Sequence, residues 1–150
     1  MAGSLPRFVV ELRQQCHPIN DLIFSLCAMK IEHNKVDEAN AKRFFEEYSG
    51  YRRIALEVPR QILKNRFDDW IGFIYQSLMA EGHRIMTGLY YTTPAIGEEM
   101  LSDVQITTSQ RFLDPCCGSG IFLMKVDGAR PEQLYGIDND PLAVMIAKAL

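Results

Sequence analysis

The stretch Asp114-Pro-Cys-Cys-Gly-Ser-Gly120 decides the fold prediction, because it lies between a short apolar segment and a run with helical spacing. The segment at residues 111–113 predicts a strand. Gly118 and Gly120 allow the turn that follows to bend sharply and to approach a ligand closely. The first N–H groups of the helix after Gly120 are available to a carboxylate or phosphate. The sequence therefore predicts a strand–turn–helix unit with a ligand site at its turn.

A second acidic turn, Gly136-Ile-Asp-Asn-Asp-Pro141, follows a predicted strand at residues 134–137. In this position the carboxylate of Asp138 can accept hydrogen bonds from both hydroxyls of a ribose. Asp140 followed by Pro141 predicts the cap and first turn of a final helix over residues 142–150. Residues 111–150 thus predict the opening of a doubly wound, parallel α/β fold that binds a nucleoside.

The chain before residue 82 has helical patterning. Four helices are predicted here: from an N-cap at Ser4 to the break at Pro18, from Asn20 or Asp21 to Lys30 with one buried stripe, over residues 36–48, and from Pro59 to Gly82. A further helix is predicted to begin at Pro94. Helical spacing assigns Trp70, Phe73 and Tyr75 to the core rather than to a base-stacking platform.

The composition is that of a globular protein, with 150 residues, 47% of them hydrophobic, and a net charge of -3. This charge argues against a broad nucleic-acid-binding face on the chain. The apolar run at residues 22–29 is far shorter than the ~20 residues of a membrane span, so no membrane partner is expected. The four cysteines lack zinc-site spacing. We expect a cytoplasmic protein with no metal site.

The dinucleotide fingerprint G-x-G-x-x-G fits the glycine turn poorly. Its third glycine would stand at Leu123, and the Asp-Pro pair at the head of the turn is foreign to that pattern. A nucleotide-dependent oxidoreductase is therefore the weakest of the alternatives.

Three elements together resemble the adenine-N6 DNA methyltransferases. Asp114-Pro-Cys-Cys-Gly-Ser-Gly-Ile-Phe-Leu123 resembles their first motif, D-P-A-C-G-S-G-x-F-L, and Gly136-Ile-Asp-Asn-Asp-Pro-Leu-Ala143 resembles their second. Gly88-Leu-Tyr-Tyr-Thr-Thr-Pro94 resembles their G-x-[YF]-[YF]-T-P-P element. Its upstream position is typical of type I modification subunits and of fused type II restriction–modification enzymes, which residues 69–78 also resemble.

The resemblance implies a Rossmann-like methyltransferase domain at residues 87–150, preceded by an α-helical module at residues 1–86. It implies S-adenosylmethionine as the cofactor, with Thr92 helping to bind its methionine end. Asp138 would hold the ribose, and Asn139 lies beside the expected adenine. The other residues implied to form the cofactor site are Tyr90, Tyr91, Asp114, Pro115, Cys116, Gly118 and Gly120.

The sequence also departs from the family pattern. Thr93 stands where the family usually has proline, and Cys116 replaces an alanine. No Pro-Pro dipeptide occurs, so the catalytic [DNS]-P-P-[YFW] motif, which binds the target amine and stacks on the flipped base, is missing. We therefore assign no catalytic residue and expect the chain to be inactive alone.

The final helix supports the interpretation of the chain as a fragment, because nothing downstream is present to bury Met145, Ile146 and Leu150. The partners implied by the resemblance are DNA, bound through downstream domains, and a specificity or restriction subunit. Two alternatives stay open. One is an RNA or protein-glutamine N-methyltransferase of the same fold, and the other is a non-catalytic remnant or assembly module.

Overall fold

Short helices precede a two-stranded parallel sheet in the computed structural model, which describes residues 5–64, 69–79 and 92–150. The helices of the first two ranges are α1 (Leu5–Gln14), α2 (Ile19–Asn34), α3 (Glu38–Glu47), α4 (Arg60–Leu63) and α5 (Trp70–Leu78). The third range holds α6 (Pro94–Leu101), β1 (Phe112–Asp114), α7 (Ile121–Lys125), a 3₁₀ turn (Pro131–Gln133), β2 (Leu134–Gly136) and α8 (Pro141–Ala149). The predicted strand–turn–helix–strand–helix order is confirmed, and it is compatible with an α/β fold.

Helix α2 is buried on nearly every side. It begins at Ile19, earlier than predicted, and continues past Lys30 to Asn34, where Lys35 ends it in the left-handed conformation. The expectation of one buried stripe is wrong, since all seven residues from 22 to 28 are buried. Helices α5 and α8 both pack against α2, and an apolar helix enclosed in this way shows no exposed face.

The prediction of one helix from Pro59 to Gly82 is also wrong. Helix α4 ends at Leu63, and a new helix, α5, begins after Asp69. The Asp69 carboxylate accepts a hydrogen bond from the N–H of Gly72 at 2.7 Å, which makes Asp69 an N-cap instead of an interior helical residue. The predicted N-cap at Ser4 and stop at Gly82 lie outside the described residues.

The two strands are parallel, with Phe112 opposite Leu134 and Asp114 opposite Gly136. Helix α8 follows β2, and its N-cap is Asp140, as predicted, with the carboxylate accepting from the N–H of Leu142 at 2.9 Å. Met145 and Ile146, which were expected from the sequence to lack a burying partner, are fully buried. Their partners are upstream, because α8 packs against α2 and α5.

One hydrophobic core therefore joins the first helices to the final one. Leu12, Leu26, Trp70 and Ile146 belong to the same buried cluster. Each such side chain contributes roughly 1.5–3 kcal/mol through removal from water. The domain boundary predicted at residue 86 lies outside the described residues and stays a prediction. Within the described ranges, no helix combines the length and the apolar character needed to cross a membrane.

Candidate cofactor site

The parallel register brings the two motif loops to one edge of the sheet. Asp114 ends β1 opposite Gly136, which ends β2. The loops that follow the two strands therefore leave the sheet side by side. Backbone hydrogen bonds then join the loops: the N–H of Ile137 donates to the carbonyl of Asp114, and the N–H of Cys117 donates to the carbonyl of Ile137, both at 2.9 Å. The loops thus form one bonded unit.

Asp138 strengthens this unit through its side chain. One carboxylate oxygen accepts from the N–H of Gly118 at 2.7 Å, and the other accepts from the N–H of Asp140 at 2.9 Å. These bonds fix the carboxylate between the two loops, where it is half-buried. Each oxygen can accept a second hydrogen bond, so the carboxylate keeps acceptor capacity for ligand hydroxyls. Its predicted role with a ribose stays a prediction.

Asp114 has an unsatisfied oxygen. Its Oδ1 accepts from the N–H of Cys116 at 3.1 Å, while its Oδ2 is buried and has no hydrogen-bond partner among the described residues. The residue is only 8% exposed. A buried carboxylate oxygen without a donor is costly, which makes it a fitting acceptor for a donor group of a ligand. An ammonium such as that of a methionine moiety has this chemistry.

The glycine turn requires its glycines. Gly118 and Gly120 have φ angles of 51° and 93°, in the left-handed region that side chains disfavour. A Cβ on Gly120 would also lie 3.1 Å from the Cβ of Ala147 in α8. The turn therefore packs directly on α8 and holds a shape that other residues would strain.

The two adjacent cysteines differ in environment. Cys116 is exposed, whereas Cys117 is buried. Burial raises the pKa of the Cys117 thiol to about 11, and the negative charges of Asp138 and Asp114 add to the effect. The thiol is thus neutral at physiological pH, and a neutral thiol is a poor nucleophile or metal ligand. This favours a packing role for Cys117.

A pocket opens between the glycine turn and helix α5. Among the residues predicted for the cofactor site, Thr92, Cys116 and Gly118 line it. Asp114, Pro115, Gly120, Asp138 and Asn139 are not part of this lining, and Pro115 and Asn139 are exposed. Tyr90 and Tyr91 lie outside the described residues. The structure thus brings the two motif loops together, with Thr92 on the pocket beside the glycine turn.

The contribution of α5 to this pocket was not predicted from the sequence. Four residues of this segment line it at helical spacing: Gly72, Tyr75, Gln76 and Met79. Tyr75 is buried, as the core assignment expected, but its hydroxyl also reaches the second motif loop, where it donates to Asp140 at 2.7 Å. A polar pair beside a glycine on one face of an otherwise apolar helix was the available signal.

Comparison with known proteins identifies a curated relative. The chain is 32% identical over 79 residues to the Type II methyltransferase M.VspI of Vibrio sp. (strain 343). The matched region is 51% of this chain and 19% of that protein, so the chain spans about a fifth of the relative's length. No family model matches the chain, and no solved structure matches it. The similarity points to a methyltransferase relationship for the matched half of the chain.

Proposed function

We propose that this chain forms the cofactor half of an S-adenosylmethionine-dependent methyltransferase with a Rossmann-like fold. The observation that carries the proposal is the 2.7 Å hydrogen bond from the N–H of Gly118 to the carboxylate of Asp138. It joins a glycine turn and an acidic turn at the ends of neighbouring parallel strands, where α/β folds bind nucleosides. The similarity to a methyltransferase supports the same cofactor.

The residues of the site fit such a cofactor. Asp138 would receive the ribose hydroxyls, with Asn139 beside the adenine. The unpaired Oδ2 of Asp114 would accept from the methionine ammonium. The left-handed turn at Gly118 and Gly120 lets the backbone approach the ligand without side-chain obstruction. Thr92, with Tyr90 and Tyr91, would complete the methionine end.

The reaction proposed for the intact protein is methylation of N6 of adenine in DNA, within a restriction–modification system. S-adenosylmethionine, held by the motif loops, would supply its sulfonium methyl group to the amine nitrogen, with S-adenosylhomocysteine as the leaving group and loss of one proton from the amine. Such a direct displacement depends mainly on aligning donor and acceptor. The described loops would hold the donor, while the acceptor motif is absent from these 150 residues.

The substrate class rests on the motif resemblance. An RNA or protein-glutamine methyltransferase would share the donor site, and the upstream Tyr-Tyr-Thr element favours DNA. DNA, with a specificity or restriction subunit, is accordingly the proposed partner. The cytoplasmic location expected from the cysteines belongs to the same proposal.

Calorimetric titration of the purified chain with S-adenosylmethionine tests the donor site. We expect one-to-one binding that Asp138→Ala weakens at least about tenfold, because hydrogen bonds to a charged group contribute about 1.5–3 kcal/mol. Asp103→Ala is the matched control, since Asp103 is exposed, belongs to neither motif loop and does not line the pocket. The helical circular dichroism of each variant verifies folding.

Absence of binding by the folded wild-type chain would contradict the proposal. It would favour the alternative of a non-catalytic remnant. Binding that Asp138→Ala leaves unchanged would remove Asp138 from the ribose site.

A further inference from the structure

Helix α5 and its N-cap residue Asp69 reach the two motif loops with one side chain each. The hydroxyl of Ser119, in the glycine turn, donates a hydrogen bond to Oδ2 of Asp69. The hydroxyl of Tyr75 donates to Oδ2 of Asp140, in the acidic turn, with the two oxygens 2.7 Å apart. Two loops that are separate in sequence are therefore both bonded to one helix of the preceding segment.

At the Asp69 contact, the glycine turn packs against the start of α5 with no space between them for another atom. Asp69 is fully buried, and its Oδ1 also caps α5 by accepting from the N–H of Gly72. A Cβ on Gly72 would overlap with both the Asp69 carboxylate and the Ser119 hydroxyl. The first turn of α5 and the glycine turn thus meet at closest approach, and a shift of one displaces the other.

The Tyr75 contact acts on the second loop through a different element. Asp140 accepts from Tyr75 through Oδ2 and caps α8 through Oδ1. The N–H of Asp140 donates to Oδ1 of Asp138, the residue proposed for the ribose. A chain of hydrogen bonds therefore leads from the Tyr75 hydroxyl, through Asp140, to the Asp138 carboxylate.

The same helix also forms one wall of the pocket. Gly72, Tyr75 and Gln76 face the pocket from α5, and Cys116, Gly118 and Ser119 face it from the glycine turn. The bonds at Asp69 and Tyr75 therefore join the two walls of this pocket, whose lining includes Thr92, Cys116 and Gly118 of the proposed donor site.

We propose that Asp69 and Tyr75 are positioning residues of the donor site, acting through Ser119 and Asp140. This inference rests on the proposed function, and it assigns to α5 a part in cofactor binding that neither motif supplies. Loops that bind a ligand tightly must be held in the bound geometry by supporting contacts, or the binding energy is spent on ordering them.

Calorimetric titration of the whole chain with S-adenosylmethionine tests the role, using both the dissociation constant and the stoichiometry. Tyr75→Phe removes one hydroxyl and keeps the ring, and Ser119→Ala removes the other donor. We expect each to raise the dissociation constant about threefold to tenfold at unchanged stoichiometry, which corresponds to the loss of one hydrogen bond.

Two further variants separate positioning from folding. Asp69→Asn should bind nearly as well as wild type, because its amide can still cap Gly72 and can donate to the Ser119 oxygen. Tyr51→Phe is the matched control for Tyr75→Phe: Tyr51 packs against Phe24 in the helical core and does not line the pocket, so its dissociation constant should equal that of wild type.

The outcomes are distinct. If the wild-type chain binds and the dissociation constants of Tyr75→Phe and Ser119→Ala stay within twofold of its value, the positioning role is overturned and the proposed function stays intact. A lower stoichiometry at an unchanged dissociation constant would also overturn it, since the two residues would then only stabilise the fold. No binding by the folded wild-type chain would overturn the proposed function and the positioning role together.

Discussion

At the scale of single residues, Asp69 combines complete burial with three stabilising neighbours. Burial raises the pKa of this carboxyl from its usual range to about 6, although the Ser119 hydroxyl, the Gly72 N–H and the charge of Lys30 all act to lower it. Lys30 is itself fully buried and lies over the ring of Trp70. The carboxyl therefore gains its proton within the range of mildly acidic buffers.

The raised pKa has a defined consequence for stability. A group that holds its proton more tightly when folded stabilises the fold at low pH, and this contribution is lost as the pH rises through the folded pKa. For Asp69 the window runs from about pH 4 to pH 7, and the change amounts to at most roughly 3 kcal/mol. The free energy of unfolding of wild type, measured relative to Asp69→Asn, should therefore increase as the pH falls across this window.

Urea denaturation of both proteins at several pH values measures this difference. Using the difference cancels the contributions of other acids, such as Glu32, whose pKa is lowered by Arg53 and which acts in the opposite direction. Parallel stability curves for the two proteins between pH 7 and pH 4 would show that Asp69 titrates at an ordinary value.

At the scale of elements, the contact of α8 with α2 determines how the motif segment is stabilised. Ile146 is fully buried in the shared core, and truncation of a buried isoleucine costs about 2–5 kcal/mol. We expect Ile146→Ala to lower the free energy of unfolding by this amount. Met100→Ala is the control, since Met100 is 65% exposed and its loss should change stability by less than about 0.5 kcal/mol.

Trp70 makes the coupling between the elements measurable. It is the sole tryptophan of the chain and lies buried in the core that α8 completes. The fluorescence transition of Trp70 should therefore shift to lower urea by as much as the circular dichroism transition in Ile146→Ala. A fluorescence transition that stays at the wild-type midpoint would mean that the first helices fold independently of α8.

The elements also show where sequence patterns are sufficient. The strand–turn–helix order around Gly118 and Gly120 and the cap at Asp140 could be predicted, because turn and cap chemistry depends on residues adjacent in sequence. The start of α5 at Asp69 could not. Asp69 looks like an interior residue until its contact with Ser119, fifty residues away, is known.

The burial of individual side chains also depends on contacts between residues that are distant in sequence. The continuous burial of α2 and the partners of Met145 and Ile146 depend on which helices pack together, which spacing within one helix does not specify. The pocket wall on α5 also depends on this packing: the polar face of the helix could indicate a site, but the motifs do not identify the helix that lies beside their loops.

At the scale of the whole molecule, the described parts share one core although they differ in character. Buried residues from α1, α2, α5 and α8 form a single cluster. Helix α5 bonds to both loops at the ends of the strands. We therefore expect the segment before the motifs to fold together with the motif loops, so that a change in one reaches the other.

The reactivity of the four cysteines can be used to measure how much of the chain is folded. Cys16 and Cys116 are exposed, whereas Cys27 in the first helices and Cys117 in the glycine turn are buried. A brief pulse of iodoacetamide should label two thiols in the native chain and four in the denatured one, with Cys27 and Cys117 becoming reactive at the same urea concentration. Mass spectrometry of the labelled peptides reads each site. Labelling of Cys117 at a lower urea concentration than Cys27 would mean that the glycine turn unfolds before the first helices. Alkylation would then report the order in which the two parts unfold.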